Sequence, residues 1–257
     1  MTLDLCIVTA SNNPACLELN LMQSPMVKCG QVGVQVEYDA PSATIAYARG
    51  MAATTSQIIV FAHQDVYFPR GWEEQLACVL DDLETRDPDW AILACCGISV
   101  IGDFIGDVWS TSLGGRIGAP MGNPQPVQSV DELVIIMRRS AGLTWDTELP
   151  NFHMYGTDIV QSALASGQGA WVADLPVIHN DNFHTRLGSD FTASFRYMQR
   201  KWRAVLPIQT TVGKITRWGI ALALSKREAR KSIDYRKQLA LDPLVDPRHY
   251  AAESGLE

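Results

Sequence analysis

The residues best suited to chemistry follow an apolar run in the first quarter of the chain. Residues 58–62 are uniformly apolar, and His63, Gln64 and Asp65 come directly after them. In an extended chain, residues i and i+2 point to the same side, so His63 and Asp65 could face one site. Mg²⁺ and Mn²⁺ prefer oxygen ligands and often use only one or two protein carboxylates, with phosphate oxygens supplying the rest. The tripeptide therefore indicates a divalent-cation site; the alternative is a strand-end aspartate that caps the following turn.

A second candidate carboxylate, Asp158, lies in the first turn of a helix predicted over residues 157–165. The helix dipole favours a negative charge at this position, so Asp158 would stay ionised and available as a base. Aspartates here are also common helix caps, and that alternative stays open. His153, ahead of the helix, could orient a ligand or pack beside Phe152.

His179 ends a strand predicted over residues 171–178, and Asp181 and His184 follow within five residues. A lone histidine is most often a partly buried residue with its hydrogen bonds satisfied. The nearby Asp181 and His184 make a metal or phosphate role conceivable. A dedicated zinc site is disfavoured because the spacing lacks a second tight pair of ligands.

Strands and helices alternate along the first hundred residues, which indicates a mostly parallel sheet covered by helices on both faces. The apolar pattern predicts strands over residues 3–9, 32–38, 58–62 and 91–100, with helices over 14–22, 43–51 and 69–83 between them. Ser42 is the expected N-cap of the second helix. Because ligands of such sheets bind beyond the carboxyl ends of the strands, we expect the polar segments 9–12, 39–42 and 63–65 to converge on one edge.

The second half of the chain is less regular. Residues 102–125 are rich in Gly and Pro and should form a loop or an irregular hairpin. Strands are predicted over 127–139 and 171–178, and helices over 157–165, 191–202 and 214–239. The predicted class is α/β: a Rossmann-like, mostly parallel mixed sheet flanked by helices, with a C-terminal helical extension. The predicted division is a catalytic domain, residues 1–210, and a basic helical extension, residues 211–257.

The composition is that of a globular protein. With 257 residues, 47% of them hydrophobic and 19% charged, the chain can bury one substantial core. No apolar stretch reaches the ~18–20 residues that span a bilayer, and the first residues lack a secretory signal, so a cytoplasmic location is expected. Six cysteines occur without a CxxC pair. We expect reduced core residues, including Cys6, Cys78, Cys95 and Cys96, and no disulfide framework or zinc site.

The net charge of −7 conceals an uneven distribution. Residues 196–237 contain 12 Lys or Arg and 2 Asp or Glu, whereas the rest of the chain contains 9 and 26. An acidic body argues against binding to nucleic acid, which requires a basic surface. The basic helix over residues 214–239 also carries Ile215, Trp218, Ile220 and Leu222. Such a helix could lie on an anionic membrane surface, or pack its apolar side on the core with a solvated basic face.

In their order along the chain, these motifs resemble the nucleotide-sugar glycosyltransferases of the A-type fold, the family 2-like group. The resembling stretches are "CIVTASNN", "VEYDAPSATIAYARGMAATTSQIIVFAHQDVYFPRGWEEQL", "DELVIIMRRSAGLTWDTELPNFHMYGTDIVQSALASG" and "PVIHN", and together they cover roughly residues 3–203. The chain departs from the family pattern at His63, which replaces the first Asp of the Asp-X-Asp metal motif. Gly50 stands where the family commonly has Asn.

The resemblance implies a role for each matching residue. Asp65 and His179 would hold Mn²⁺ or Mg²⁺, and Asp158 would be the catalytic base of an inverting displacement. The implied nucleotide-sugar contacts are Thr9, Ala10, Ser11, Asp39, Arg49, His63 and Gln64. The acceptor or sugar contacts would be Trp109, Trp145, His153 and Tyr155, of which the three aromatic residues are equally plausible as core side chains.

The implied activity is metal-dependent transfer of a sugar from a nucleoside-diphosphate sugar, a UDP-sugar above all, to an acceptor hydroxyl. The acceptor would be a saccharide or a lipid-linked molecule, in glycan or cell-surface polysaccharide synthesis, at the cytoplasmic face of the membrane. Two alternatives stay open. The first is a non-catalytic protein that kept the nucleotide-sugar fold. The second is a nucleotidyltransferase, which shares the sheet and the metal chemistry.

Overall fold

The computed structural model of the chain describes residues 3–183 and 187–257. The described strands are β1 (Leu5–Ser11), β2 (Gly33–Tyr38), β3 (Ile58–His63), β4 (Val66–Tyr67), β5 (Trp90–Ala94), β6 (Cys96–Ser99), β7 (Phe104–Ser110), β8 (Gly115–Ala119), β9 (Gln125–Val130), β10 (Val134–Arg138), β11 (Gly169–Val172), β12 (Val177–His179), β13 (Ile208–Gln209) and β14 (Lys214–Ile215). The described helices are α1 (Pro14–Leu19), α2 (Pro25–Lys28), α3 (Ala43–Ala53), α4 (Trp72–Arg86), α5 (Tyr155–Ala165), α6 (Ser189–Lys201), α7 (Ile220–Lys231), α8 (Ile233–Leu239) and α9 (Pro247–Glu253), with 3₁₀ turns at Leu21–Gln23 and Arg139–Ala141.

Twelve of these strands form one mixed sheet in the order β2-β1-β3-β10-β5-β11-β9-β6-β7-β12-β4, and β8 pairs with β7. β1 is parallel to β2 and β3, and β5 runs in the same direction because β10 lies antiparallel between β3 and β5. The predicted α/β class, a mixed sheet flanked by helices with a C-terminal helical extension, is confirmed. The sheet was also predicted to be mostly parallel, but four of its described strand pairs are parallel and seven are antiparallel. Antiparallel pairs are concentrated in the second half of the sheet.

Apolar side chains alternate between the two faces of the central strands. Ile59 and Phe61 of β3 belong to one buried cluster, with α3, α5 and α6. Val60 and Ala62 of the same strand belong to another, with α1 and α4. This alternation follows from the two-residue period of a strand, and it explains why residues 58–62 are all apolar: both faces are covered.

The segment predicted as one strand, residues 127–139, is two strands that run in the same direction and pair with different neighbours. β9 and β10 are separated by residues 131–133, and β10 pairs with β3 in the register Val134↔Ala62 and Arg138↔Ile58. The prediction of one strand was wrong because the apolar pattern continues across a short break, after which the chain pairs with other strands of the sheet. As a result, the residues that precede β10 lie at the edge of the sheet where β3 ends.

Local chemistry explains α3. The Ser42 hydroxyl accepts a hydrogen bond from the Ile45 amide at 3.3 Å, which confirms the predicted N-cap. Gly50 lies against β1, and a Cβ there would come within 2.2 Å of Val8 Cγ1. The close approach of helix and strand therefore accounts for the glycine where the resembling family commonly has Asn.

Cys6, Cys95 and Cys96 are buried as predicted, but the core location predicted for the cysteines is wrong for Cys29 and Cys78, which are exposed. α4 buries Leu76 and Leu80, and Cys78 lies on the opposite, exposed face of that helix. The helical period of 3.6 residues decides this.

The C-terminal region is helical but not one helix. The predicted helix over residues 214–239 begins as strand β14, and the helix proper is divided into α7 and α8 at Ser232. α9 packs on the sheet: Tyr250 stacks on Trp109 at 5.6 Å between ring centroids and clusters with Ile178. No helix in the described part of the chain is both long and apolar enough to cross a bilayer.

Candidate metal centre

Three side chains meet where β3, β4 and β12 come together. His63 ends β3, Asp65 precedes β4, and His179 ends β12, which pairs antiparallel with β4. The Asn180 amide donates to the Asp65 carbonyl oxygen at 2.8 Å and holds the two segments side by side. His179 Nε2 lies 3.4 Å from Asp65 Oδ1, and His63 Nδ1 lies 3.9 Å from the same oxygen. The structure therefore brings together both predicted metal ligands and adds His63.

These three residues fit a divalent cation. One ligand atom from each lies within 4.8 Å of the others. Asp65 Oδ1 is buried and makes no hydrogen bond of good geometry with the described residues; its contact with His179 Nε2, at 3.4 Å, is an ion pair. A buried carboxylate oxygen without a partner is costly, and a bound cation would satisfy it. Imidazole nitrogen is foremost a ligand of the later transition metals, and Mn²⁺, the first of the divalent series, accepts it more readily than Mg²⁺ does. Of the two predicted ions, the donor set favours Mn²⁺.

The hydrogen bonds of Tyr155 determine the tautomer of His63. The Tyr155 hydroxyl lies 2.8 Å from His63 Nε2 and donates its proton to the Glu132 carbonyl oxygen at 3.0 Å. A tyrosine hydroxyl has one proton, so His63 Nε2 must be the donor in the first contact. A neutral His63 then keeps its lone pair on Nδ1, the nitrogen that faces Asp65. This is the usual arrangement of a metal-binding histidine.

The charges of the three residues are coupled. Burial lowers the pKa of His63 and outweighs the carboxylate of Asp65, so the ring is neutral. Burial alone would raise the pKa of Asp65, but His179 and His63 together hold it well below its usual range. Burial would lower the pKa of His179, but Asp65 and Asp181 overcome this and raise it to about 9. Without a cation, His179 is therefore the positive partner of Asp65, a place that a metal ion can take.

Asp181 supports His179 from the side opposite to Asp65. Its Oδ1 lies 3.8 Å from His179 Nδ1 and accepts hydrogen bonds from the Ser110 hydroxyl at 2.9 Å and the Ser112 amide at 3.0 Å. The Ser112 hydroxyl also donates to Asp181. At 3.8 Å the carboxylate acts on the His179 ring through its charge, without a hydrogen bond. His184, the other residue noted near His179, lies outside the described residues.

The end of β1 lies beside this cluster. Gln64 Oε1 accepts from the Ser11 hydroxyl at 2.8 Å and from the Asn13 amide, and Gln64 Nε2 donates to Asn12 Oδ1 at 2.9 Å. Ala10 pairs with His63 in the sheet register. The expected convergence of the polar segments is thus confirmed for Ala10, Ser11 and Gln64.

Other predicted nucleotide contacts differ in accessibility. Asp39 is exposed, and its amide donates to the Ser11 carbonyl oxygen at 3.1 Å, so it adjoins the same edge. Thr9 is buried within the sheet, and its hydroxyl has no partner. Arg49 is exposed on α3, and no described contact joins it to the cluster. Of the predicted nucleotide contacts with polar side chains, Ser11, Asp39 and Gln64 therefore lie at the sheet edge beside the cluster of His63, Asp65 and His179.

Asp158 is held in an ion-pair network between α5 and α6. It is 3% exposed, and its carboxylate accepts from Lys201 Nζ at 2.8 Å and from Trp202 Nε1 at 2.7 Å. Lys201 also bonds to Asp146 at 2.6 Å. Burial raises the pKa of Asp158, against the lowering effect of Lys201 and Trp202. Within the described contacts, both carboxylate oxygens are engaged and none bonds to the metal cluster.

The four predicted acceptor contacts are dispersed. Trp145 and Tyr155 are 5% and 1% exposed and lie in the aromatic core with Phe61. Their placement fits the alternative role as core side chains. Trp109 is half-buried under Tyr250, and His153 bonds to Asp190 at 3.1 Å.

Asp131 and Glu132 are site residues that the sequence did not single out. Asp131 accepts from the Leu133 amide at 3.2 Å, and the Leu133 carbonyl oxygen in turn accepts from the His63 amide at 3.1 Å, so Asp131 adjoins the end of β3. Its charge raises the pKa of His179 and opposes the lowering of the pKa of His63. Burial raises the pKa of Glu132 to about 8, with the charge of Asp131 adding to the shift. In the sequence, these two acidic residues precede an apolar strand. If that strand were parallel to β3, as in a parallel sheet, they would lie at the edge of the sheet opposite to His63.

Comparison with known proteins gives limited similarity. No family model matches the chain. A protein of Fuscovulum blasticum described as "ATP synthase subunits region ORF 6" is 27% identical over 155 residues, which are 54% of this chain and 59% of that protein. The chain thus spans less than two thirds of that relative.

Two solved structures show weak similarity to the fold. One is GalNAc-T7 with UDP, GalNAc and Mn²⁺, at 10% identity and a TM-score of 0.49, covering 76% of this chain and 47% of that one. The other is A197 from STIV, at 10% identity and a TM-score of 0.41, covering 74% of this chain and 90% of that one. Similarity at this level does not transfer a function.

Proposed function

We propose that this protein is a metal-dependent glycosyltransferase that uses a nucleoside-diphosphate sugar, a UDP-sugar above all. The observation that carries the proposal is the cluster of His63, Asp65 and His179, in which a buried carboxylate oxygen lacks a hydrogen-bond partner. The cluster lies at the sheet edge where three polar loops meet, which is where ligands of such sheets bind. The order of motifs along the chain, which resembles the family 2-like glycosyltransferases, supports the same activity.

Under this proposal, each group of residues at the site has a separate role. His63, Asp65 and His179 would hold Mn²⁺, which when bound neutralises charge on the departing diphosphate. Ser11 and Gln64 form a hydrogen-bonded rim beside it, and the exposed carboxylate of Asp39 is available to a ribose or base. An acceptor hydroxyl would lose its proton to a carboxylate as it attacks the anomeric carbon.

The base has two candidates. The resemblance assigns it to Asp158, but Lys201 and Trp202 occupy that carboxylate, so ligand binding would have to displace them. Asp131 lies near the rings of His63 and His179, and its described side-chain hydrogen bond is with the nearby Leu133 amide. Changing each to Asn separates the two: the variant of the true base should lose turnover by about 10²–10⁴-fold and still bind UDP with Mn²⁺.

A calorimetric titration tests the donor site. UDP should bind in the presence of Mn²⁺, and Asp65→Asn should abolish the metal-dependent part of the binding. Asp174→Asn is the matched control, because Asp174 instead accepts hydrogen bonds from the Met121 and Gly122 amides. Absence of UDP, GDP or dTDP binding to the folded protein with Mn²⁺ present would overturn the proposal.

A second candidate function is a nucleotide-sugar-binding protein without turnover. The observation that favours it is the double engagement of Asp158. Metal-dependent UDP binding with no release of UDP from UDP-sugars, across saccharide and lipid-linked acceptors, would support it. Release of pyrophosphate from a nucleoside triphosphate would instead identify a nucleotidyltransferase.

Under the first proposal, that of a glycosyltransferase, the product is a glycan or cell-surface polysaccharide made at the cytoplasmic face of the membrane.

A further inference from the structure

Charge and exposed apolar surface coincide in one region, α7 with its flanking residues. Residues 196–237 carry 12 basic and 2 acidic residues, whereas the rest carries 9 and 26. The positive charge is therefore concentrated in the segment of the chain that contains α6, α7 and α8. Opposite charges on one molecule orient it toward an anionic surface.

The two faces of α7 differ. Ala221 and Leu222 pack against the main apolar cluster, so this side of the helix is attached to the body of the protein. On the other side, Ile220 and Leu224 are 71% and 52% exposed, and α7 buries no residue completely.

The exposed side of α7 is an amphipathic stripe. Ile220, Leu224, Arg227 and Lys231 follow one another at helical spacings of four, three and four residues, so they lie on one face. Arg227 and Lys231 are also exposed. The stripe thus presents two large aliphatic side chains in its first turns and two cations in its last.

Aromatic residues extend the stripe at both ends. Trp218, just before α7, is 75% exposed, and Tyr235 in α8 is 65% exposed. Trp and Tyr concentrate at the interface between headgroups and acyl chains, where an apolar ring and a polar tip are both solvated well. Exposed Trp, Tyr, Ile and Leu among Lys and Arg are the composition of a helix that lies in that interface.

We propose that the exposed face of α7, with Trp218 and Tyr235, docks this protein on the surface of an anionic lipid bilayer. Ile220 and Leu224 enter the headgroup region, and Arg227 and Lys231 contact lipid phosphates. The acidic remainder of the molecule faces away from the bilayer. An acidic protein partner would match the charge alone, whereas the exposed aliphatic and aromatic side chains match the apolar layer under the headgroups.

Vesicle sedimentation of the full chain tests this docking. The protein should sediment with phosphatidylcholine vesicles containing roughly 30% phosphatidylglycerol, and at least tenfold less with pure phosphatidylcholine, since anionic lipids supply the attraction. Raising the salt from about 0.1 M to about 0.5 M should weaken binding several-fold because it shortens the Debye length. Equal binding to both kinds of vesicle, or to neither, would overturn the proposal.

Matched variants locate the contact. Leu224→Glu and Arg227→Glu should each reduce binding to the anionic vesicles by about fivefold or more. Their controls are Ile101→Glu, at a side chain 83% exposed in the β6–β7 turn, and Arg70→Glu, at an exposed arginine before α4. If the control variants reduce vesicle binding as much as the α7 variants do, the protein binds the vesicles without using a specific face, and the proposal is contradicted. Circular dichroism of each variant verifies that it is folded.

Discussion

At the scale of single residues, the candidate metal centre consists of side chains that are distant in sequence and close in the fold. Asp65 is shared by two imidazoles, and His63 is oriented by the hydroxyl of Tyr155. Where the resembling family has an aspartate, His63 presents a ring nitrogen to Asp65 at 3.9 Å. Tyr155 is buried and contacts the His63 ring from the core.

Glu132 gives a pH dependence that can be measured. Its pKa is raised by burial to about 8 in the folded protein, from an ordinary value of 4.5. A raised pKa means that the folded state binds the proton more tightly than the unfolded state does. The stabilising contribution is therefore complete below about pH 4.5 and is lost as the pH rises toward 8.

Glu132→Gln should remove this dependence. We expect the variant to be more stable than the native chain at pH 8 by about 1–3 kcal/mol, and the difference to shrink toward pH 5. Urea denaturation at several pH values in the presence of a chelator measures it. Glu148→Gln, in an exposed turn, is the control. The same pH profile for the Glu132 variant and the native chain would show that Glu132 does not titrate in this range.

At the scale of elements, the antiparallel β10 is what completes the site. It enters between β3 and β5 with its first residue beside Ala62, so the turn before it carries Asp131 to the edge where His63 lies. The antiparallel pair of β4 and β12 likewise brings Asp65 beside His179. The direction of a strand relative to its neighbours cannot be predicted from the spacing of its apolar residues, because that spacing is the same in parallel and antiparallel strands.

The contact between α3 and β1 predicts a specific cost. Gly50→Ala places a Cβ within 2.2 Å of Val8 Cγ1, so either the helix or the strand must move, at about 1–3 kcal/mol of unfolding free energy. Gly33→Ala is the control, because no atom lies within 4 Å of the added Cβ. In the double variant with Val8→Ala, part of the Gly50→Ala cost should disappear. Additive costs in denaturant melts would show that these two residues do not collide.

At the scale of the whole molecule, the C-terminal segment is joined to the strands that carry the metal ligands. The Asn180 side chain donates to the carbonyl oxygens of Pro243 and Val245 at 3.0 and 3.1 Å. Tyr250 stacks on Trp109, and Tyr67 of β4 donates to Glu257 at 2.5 Å. The stability of the sheet beside the metal site therefore includes residues far along the chain.

Deletion of residues 242–257 should lower the free energy of unfolding by about 2–4 kcal/mol. The deletion leaves the buried Asn180 amide without two acceptors and uncovers Trp109. It should also weaken Mn²⁺ binding, because Asn180 adjoins His179 and bonds to the Asp65 backbone. Urea melts and Mn²⁺ titration measure both effects, and Leu244→Ala, at a side chain 79% exposed, is the control. Unchanged stability after the deletion would show a separate C-terminal extension.

The sequence by itself determined the class of fold and the residues with metal chemistry. Residues 58–62, apolar throughout, required a strand covered on both faces, and the polar residues after it indicated the ligand edge. The tertiary structure alone decided which side chains meet there. Asp131, Tyr155 and His179 lie 68, 92 and 116 residues after His63, and their convergence depends on strand direction and register. Local pattern determines which face of a strand is buried, whereas pairing between distant strands determines which functional groups share a site.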